Sequence, residues 1–277
     1  MNSDTLEAIV RSANIPSMPS VATRCYELSQ DPMCSYDKLV ALLSTDPGIA
    51  AAILRLSNSA MFGVVRQVDS LKQAITLLGL SRTRDLVLVR CMVQALRQAR
   101  SELIEFEYYW RRSLTTAVIA SRLAAARRPR GKDEAFIAGL LADVGVVILA
   151  QALPSKYVEI AEQYRNLSGA ELQARESAAI NATHADVSAM VLQLWMLPEA
   201  IVEAVRHHHA AADSIPLNAP GRDTASFLGA GDAISQCLCV AKDADQAAVT
   251  CIRAVEPLGM DAGGLCELLN DVQVDVE

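Results

Sequence analysis

Apolar residues recur along this chain at the spacing of an α-helix. Three sets occupy positions i, i+3, i+4 and i+7: Ile49, Ala52, Ile53 and Leu56; Leu71, Ala74, Ile75 and Leu78; Val187, Met190, Val191 and Leu194. Each set forms one apolar stripe along a helix. Residues 86–89 have the composition of a short strand, but they lie inside a run from 81 to 100 that is read more simply as one helix. The pattern predicts an all-α fold.

Helix-capping residues precede the apolar stripes. A Ser, Thr or Asp stands directly before a periodic run at Ser35, Asp46, Ser70, Ser81, Ser168 and Thr183. Its side-chain oxygen can accept a hydrogen bond from a free N–H group of the first turn. Pro47 follows Asp46 at the first helical position, where proline is tolerated. Ser168 and Glu171 have the spacing of a capping box. Helices are therefore predicted to begin at these places.

The helical pattern lapses between residues 98 and 108, where polar residues gather. This lapse predicts a two-part helical bundle, with an N-terminal subdomain at 1–103 and a C-terminal subdomain at 104–277. A second irregular stretch, residues 212–223, contains Pro216, Pro220 and Gly221 and is predicted to be a surface loop. The sequence contains no repeat at solenoid spacing.

Charge and cysteine content restrict the class of protein. The net charge of −7 argues against a general nucleic-acid binder, which needs positive charge to displace counterions from phosphates. The local basic strip at 127–132 is interrupted by Pro129 and Gly131, and we interpret it as a solvated loop. The seven cysteines are scattered and show no C-x-x-C spacing, so neither a disulfide framework nor a zinc knuckle is indicated. The polar, acidic N-terminus does not have the form of a signal peptide, and we expect a cytoplasmic protein.

One segment is apolar enough to require a test against a membrane span. Between residues 135 and 152 the only charged side chain is Asp143. A carboxylate in the middle of a bilayer would be costly, and alanine and glycine dilute the apolarity of the segment. A buried central helix is the better interpretation, and no membrane partner is expected.

Short motifs in both halves of the chain resemble those of one known family. The N-terminal half contains IPSMPS, STDPG, LRLSNSA, VDSLKQAI and LLG at residues 15–20, 44–48, 54–60, 68–75 and 77–79. The C-terminal half contains YWRRS, AGLLADVG, HAD, WMLP and HH at residues 109–113, 138–145, 184–186, 195–198 and 207–208. In this order the motifs resemble the HDOD family, the HD-related output domain of bacterial signalling proteins, over roughly residues 10 to 240.

The resemblance implies a fold and a role. HDOD proteins have an all-α fold in two parts, and the second part is related to the HD superfamily of metal-dependent phosphohydrolases. Family members are thought to act as non-catalytic output or scaffold modules in signal transduction. Because few residues lie outside the match, we expect a single-domain form.

The resemblance also implies a vestigial metal site. The HD pattern consists of a lone His, a later His-Asp pair and a more distant Asp. The first position corresponds here to Arg112, and the pair to Ala142 and Asp143. A guanidinium has donors only and stays protonated, and alanine has no ligand atom, so neither residue can bind a cation. We therefore expect no phosphohydrolase activity, no metal and no cofactor.

Asp143 remains on an apolar segment and needs a partner, because a buried, unpaired carboxylate costs several kcal/mol. We predict an ion pair between Arg112 and Asp143 that replaces the metal. The alternative is that Asp143 bonds neighbouring backbone while Arg112 points to solvent.

His184, His207, His208 and Asp232 match positions that serve as additional metal or substrate groups in some HD enzymes. Consecutive helical residues are 100° apart, so at most two of residues 207–209 can face one site. Alternatively, these histidines interact with the carbonyl end of a helix, and His184 is a polar first-turn residue.

Three functions are compatible with these residues. The first is a non-catalytic adaptor that binds other signalling proteins, and we favour it. The second is a residual HD phosphohydrolase that holds a metal with Asp143, His184, His207 and His208. The third is a sensor that binds a nucleotide or another effector in the emptied HD cleft.

Overall fold

The computed structural model describes residues 9, 19–31, 33, 35–58, 67–98, 101–127, 131–211, 213–240 and 243–276. Every regular element within these residues is a helix, which confirms the predicted all-α fold. The chain divides into two compact units, Pro16–Gln98 and Ala99–Glu277, and the larger unit also includes Ile9. The division after Gln98 lies just before the predicted one at 103–104, whereas Ile9, which the prediction placed in the N-terminal subdomain, belongs to the larger unit.

The smaller unit is a bundle of five described helices. They are α1 (Ser20–Gln30), α2 (Tyr36–Leu43), α3 (Pro47–Ser57), α4 (Leu71–Leu78) and α5 (Leu80–Gln98). Their apolar stripes form the core, in which Leu39, Leu43, Ile53, Ala74 and Ile75 are fully buried. Burial of these stripes stabilises the unit, because short helices gain most of their stability from packing.

Capping side chains begin three of these helices where the sequence predicts them. Ser35 accepts from the N–H of Lys38, Ser70 from that of Gln73, and Asp46 from those of Gly48 and Ile49. The prediction for Ser81 is wrong: α5 begins at Leu80, so Ser81 lies inside the helix. Gly79, with a φ of 81°, makes the turn between α4 and α5 that a side chain would strain.

The larger unit contains the remaining described helices. They are α6 (Phe106–Arg127), α7 (Lys132–Leu141), α8 (Val144–Ala152), α9 (Pro154–Gln163), α10 (Gly169–Ile180), α11 (His184–Leu194), α12 (Glu199–Arg206), α13 (Arg222–Val240), α14 (Ala244–Val255) and α15 (Ala262–Val276), with a 3₁₀ turn at Glu256–Leu258. Helix α6 packs against α7 and α13, and α11 packs against α8 and α12. The predicted capping box of Ser168 and Glu171 is present, and Thr183 caps α11 through the N–H of Asp186.

The apolar segment predicted to be one central helix is two helices. Helices α7 and α8 are separated at Ala142 and Asp143, and Asp143 has the non-helical backbone angles of an N-cap. By length and composition alone, the 21 residues Lys132–Ala152, with a mean hydropathy of 2.1 over an 18-residue window, could cross a membrane. Within the unit, however, 83% of that window is buried, as in the core helix of a globular domain. The break places Asp143 beside α6, the start of α11 and the turn after α12, and not along a continuous helix face.

Candidate functional site

Arg112 lies on α6 and is completely buried. Its Nη2 and Nε donate hydrogen bonds of 2.7 and 3.1 Å to Oδ1 of Asp232 on α13. The guanidinium carbon also lies 5.3 Å from the ring centre of Tyr164. Burial alone would lower the pKa of Arg112, but the carboxylate of Asp232 outweighs it and holds the pKa well above its usual range. Arg112 is thus a permanent cation in the centre of the larger unit.

The prediction that Arg112 pairs with Asp143 requires a correction. The shortest distance between them, from Nε to Oδ2, is 3.9 Å, which is an ion-pair distance but too long for a hydrogen bond. Asp232 takes the donors instead because α13 packs along α6 and brings this carboxylate directly against the guanidinium. The alternative, in which Arg112 points to solvent, is inconsistent with its complete burial.

The other oxygen of Asp143 faces two histidines. Oδ1 lies 3.5 Å from Nε2 of His184 and 3.5 Å from Nε2 of His208, and it has no hydrogen-bond partner. Burial would raise the pKa of Asp143, but Arg112, His208 and His184 hold it well below its usual range. Asp143 is therefore a buried carboxylate ion. One of its oxygens faces Arg112, and the other faces His184 and His208.

His184 is the first residue of α11, and hydrogen bonds to Glu176 orient its side chain. Nδ1 of His184 lies 2.7 Å from Oε2 of Glu176, and the backbone N–H of His184 donates to the same oxygen at 2.7 Å. The hydroxyl of Tyr157 donates to Oε1 of Glu176. Burial alone would lower the pKa of His184, but Glu176 raises it above its usual range. His184 is thus a polar first-turn residue, as one of the two expectations had it, but it is also a fully buried, oriented imidazole that faces the site.

The three consecutive histidines do not all face the site. Helix α12 ends at Arg206, so residues 207–209 form a turn. The turn directs His208 and His209 into the unit and leaves His207 beside Glu203, with 3.5 Å between His207 Nε2 and Glu203 Oε2. The inward pair is therefore 208 and 209, not the predicted 207 and 208.

Both inward histidines have defined neighbours. Nδ1 of His208 lies 2.6 Å from the carbonyl oxygen of Val205, while its Nε2 has no hydrogen-bond partner. Nε2 of His209 lies 3.1 Å from Nε2 of His184, and Nδ1 of His209 lies 3.8 Å from Oδ2 of Asp232. Burial and the two neighbouring imidazoles hold the pKa of His209 well below its usual range.

These contacts assemble four potential metal ligands. Asp143, His184, His208 and His209, which we term the Asp-His cluster, each direct one ligand atom inward, and the four atoms lie within 4.8 Å of one another. Arg112 and the methyl group of Ala142 do not fit the ligand positions of a complete HD site. The Asp-His cluster beside them fits a metal, because imidazole and carboxylate are ligands for transition-metal ions.

Comparison with known proteins identifies the family. The sequence model of the HDOD domain matches residues 15–211. The chain belongs to the HDOD family. A protein of Treponema pallidum (strain Nichols) is 28% identical over 202 residues, and the aligned part is 72% of this HDOD protein but only 38% of the relative.

Solved structures share the HDOD fold at low sequence identity. One is a candidate phosphohydrolase from Shewanella amazonensis SB2B, with a TM-score of 0.76 and 21% identity, over 97% of this chain and 95% of that one. An HDOD domain protein of unknown function from Geobacter sulfurreducens has a TM-score of 0.72 and 19% identity, over 98% and 96% of the chains. A candidate signal transduction protein from Marinobacter aquaeolei VT8 has a TM-score of 0.74 and 21% identity, over 98% of this chain and 63% of that one. At these identities the likeness establishes the fold alone.

Two residues of this HDOD site, His209 and Glu176, were not singled out from the sequence. His209 belongs to the run of three histidines, but its direction depends on where α12 ends. Glu176 lies mid-helix in α10 among polar and charged neighbours and resembles a solvated residue, yet it is completely buried. Only the packing of α10 beside His184 reveals its role.

Tyr157→Phe is expected to lower the free energy of unfolding by about 1.5–3 kcal/mol, because it removes a donor from the buried Glu176 carboxylate. Tyr164→Phe is the matched control. Its hydroxyl is also buried but has no hydrogen-bond partner, so its loss should change stability by less than about 0.5 kcal/mol. Urea unfolding followed by circular dichroism measures both. Equal losses in the two variants would show that Glu176 does not depend on Tyr157.

Proposed function

We propose that this HDOD protein is a non-catalytic output module of signal transduction that acts by binding other signalling proteins. The observation that carries the proposal is the buried Arg112–Asp232 pair. Arg112 corresponds to the first metal ligand of the HD pattern, and its cation occupies this position with hydrogen bonds of its own. Hydrolysis of the HD type requires that position for a metal ligand.

The burial of the site also supports a non-catalytic role. Arg112 and His184 are completely buried, and Asp143 and Asp232 are 5% and 4% exposed. A phosphate ester and its attacking water need an open position at the metal and space beside it. A cavity of about 390 Å³ does lie in the larger unit, but its lining, which includes Glu134, Leu217 and Arg222, contains no member of the Asp-His cluster. The same burial argues against an effector bound at Arg112.

A candidate contact surface for a protein partner lies at the end of α11. Leu194 and Met196 are 59% and 83% exposed, whereas Trp195 between them is buried. Met196 has a φ of 58°, a left-handed conformation that is uncommon for a residue with a side chain. Exposed apolar groups and methionine are typical of protein-binding surfaces. These two side chains are therefore our candidates for partner recognition.

The catalytic part of the proposal is tested by turnover of generic phosphomonoesters and phosphodiesters in the presence of Mn²⁺, Fe²⁺, Ni²⁺ or Zn²⁺. We expect wild-type protein to be no more active than Asp143→Asn. Turnover by the wild type that is lost in Asp143→Asn would overturn the proposal in favour of a residual phosphohydrolase.

The interaction part is tested by photo-crosslinking in cells from position 196. The control is a probe at Val249, which is 49% exposed on α14. We expect a discrete crosslinked protein from position 196 and none from position 249. The same products from both positions, or none from 196, would contradict a contact surface at the end of α11.

A further inference from the structure

The spacing of the Asp-His cluster matches that of ligands around one metal ion. Metal–ligand bonds of about 2.0–2.1 Å at tetrahedral angles place neighbouring ligand atoms about 3.3 Å apart. Oδ1 of Asp143 lies 3.5 Å from both His184 Nε2 and His208 Nε2, and His184 Nε2 lies 3.1 Å from His209 Nε2. These three distances lie close to the tetrahedral value, and all four ligand atoms lie within 4.8 Å of one another.

Hydrogen bonds at Nδ1 of His184 and of His208 direct the lone pair of each Nε2 towards the centre of the cluster. Nδ1 of His184 faces a carboxylate, and Nδ1 of His208 faces a backbone carbonyl, so each of these nitrogens carries the proton in the neutral tautomer. Nε2 of each ring is then an acceptor directed inward. This arrangement, with the outer nitrogen bound to a carboxylate or carbonyl, is the one that metal-bound histidines adopt.

The centre of the cluster has acceptors without donors. Asp143 Oδ1 and His208 Nε2 are buried without a hydrogen-bond partner, although they lie only 3.5 Å apart. A proton shared between His184 and His209 accounts for their 3.1 Å contact but leaves these two atoms unsatisfied. Buried polar atoms of this kind are rare and require a partner. A cation at the centre satisfies all four atoms at once.

The local charge supports the same conclusion. The residues in and around the Asp-His cluster include three buried carboxylates, those of Asp143, Glu176 and Asp232, and one permanent cation, Arg112. Together these four groups carry an excess of two negative charges. A divalent cation neutralises this excess.

We propose that Asp143, His184, His208 and His209 bind one divalent first-row transition-metal ion of the Zn²⁺ or Fe²⁺ class. Three imidazoles and one carboxylate, without thiolate, suit these ions. Four protein ligands close a tetrahedral site, which is the arrangement of structural metals, whereas catalytic sites keep a position open. The ion therefore ties α8, the start of α11 and the turn after α12 together. It lies beside Arg112 and does not require the ligands that the HD pattern has lost.

The test is metal uptake by the full chain after treatment with a chelator, titrated with Zn²⁺ by calorimetry and with Co²⁺ by visible absorption. We expect one ion per chain, the strong d–d absorption of four-coordinate Co²⁺ and a rise in melting temperature on loading. Elemental analysis of untreated protein measures the resident ion. Binding of less than about a tenth of an equivalent at micromolar metal, or an octahedral Co²⁺ spectrum, would overturn the proposal.

Matched histidine variants locate the site. His208→Gln is expected to weaken binding at least 100-fold, whereas His207→Gln should bind as the wild type does, because His207 lies beside Glu203 and outside the cluster. Glu176→Gln should weaken binding about 10–100-fold by disturbing the orientation of His184. Circular dichroism establishes that each variant is folded, and His209→Gln provides a second ligand variant. Equal losses in the His207 and His208 variants would contradict the assignment.

The outcome separates this inference from the proposed function. Uptake of one ion without turnover supports both. Turnover by the loaded protein overturns the non-catalytic role but leaves the site in place. Absence of uptake overturns the site and leaves the non-catalytic role unaffected.

Discussion

Arg112→Met is expected to lower the free energy of unfolding by about 3–5 kcal/mol. Methionine retains much of the side-chain volume but removes the cation, so Asp232 is left as a buried carboxylate without its two guanidinium hydrogen bonds. Asp143 also loses the positive charge 3.9 Å away. Urea unfolding at neutral pH measures the loss.

The neighbouring Arg111→Met is the matched control for this prediction. Arg111 lies on the same helix but is exposed, so its replacement should change stability by less than about 0.5 kcal/mol. The double variant Arg112→Met/Asp232→Leu should recover much of the lost stability, because a buried pair replaced by apolar groups no longer leaves one charge alone. A loss below about 1 kcal/mol in Arg112→Met would mean that the pair is not the electrostatic centre of the unit.

Gly145→Ala is expected to destabilise the larger unit by at least about 3 kcal/mol, or to prevent its folding. A Cβ atom at position 145 would lie 2.1 Å from the carbonyl oxygen of His184 and 2.8 Å from its carbonyl carbon. Both atoms are backbone, so relief requires α8 and α11 to move apart. The separation would also break the 2.8 Å hydrogen bond from the N–H of Gly145 to Oγ of Ser188.

Gly263→Ala is the control for the effect of glycine replacement itself. Gly263 is exposed on α15, and the nearest atom to its Cβ would be 3.5 Å away. Alanine should therefore be neutral or should stabilise the protein by up to about 1 kcal/mol through reduced freedom of the unfolded chain. Thermal unfolding compares the two variants. Similar melting temperatures would show that α8 and α11 are not held in close contact at Gly145.

Local signals in the sequence predicted much of the secondary structure. The apolar stripes of α3 and α4 and the caps at Ser35, Asp46 and Ser70 depend on residues within one or two turns of each other, which a sequence displays directly. The break at Asp143 was not predicted, because its flanks are apolar on every side and carry no periodicity to interrupt. Continuous apolar runs of this kind do not distinguish one helix from two.

The site was harder to predict because its contacts join distant parts of the chain. The sequence indicated that Arg112, Asp143 and Asp232 belong to one site, but the choice between the two carboxylates depends on how α13 lies along α6. Arg112 and Asp232 are 120 residues apart. Similarly, the choice of His209 over His207 depends on the residue at which α12 ends. Spacing in a sequence identifies candidate ligands, and only the packing of helices selects among them.

The contact between Arg112 and Asp232 also restricts which substitutions position 112 can accept during evolution. Restoring histidine at position 112 alone would exchange a permanent cation for a smaller, neutral ring and leave Asp232 buried without its charged partner. The reverting chain would lose stability before it regained a metal ligand, and Ala142 would still supply none. Acquisition of the HD ligand set at these positions therefore has to pass through a less stable intermediate. This barrier would favour retention of the proposed non-catalytic role.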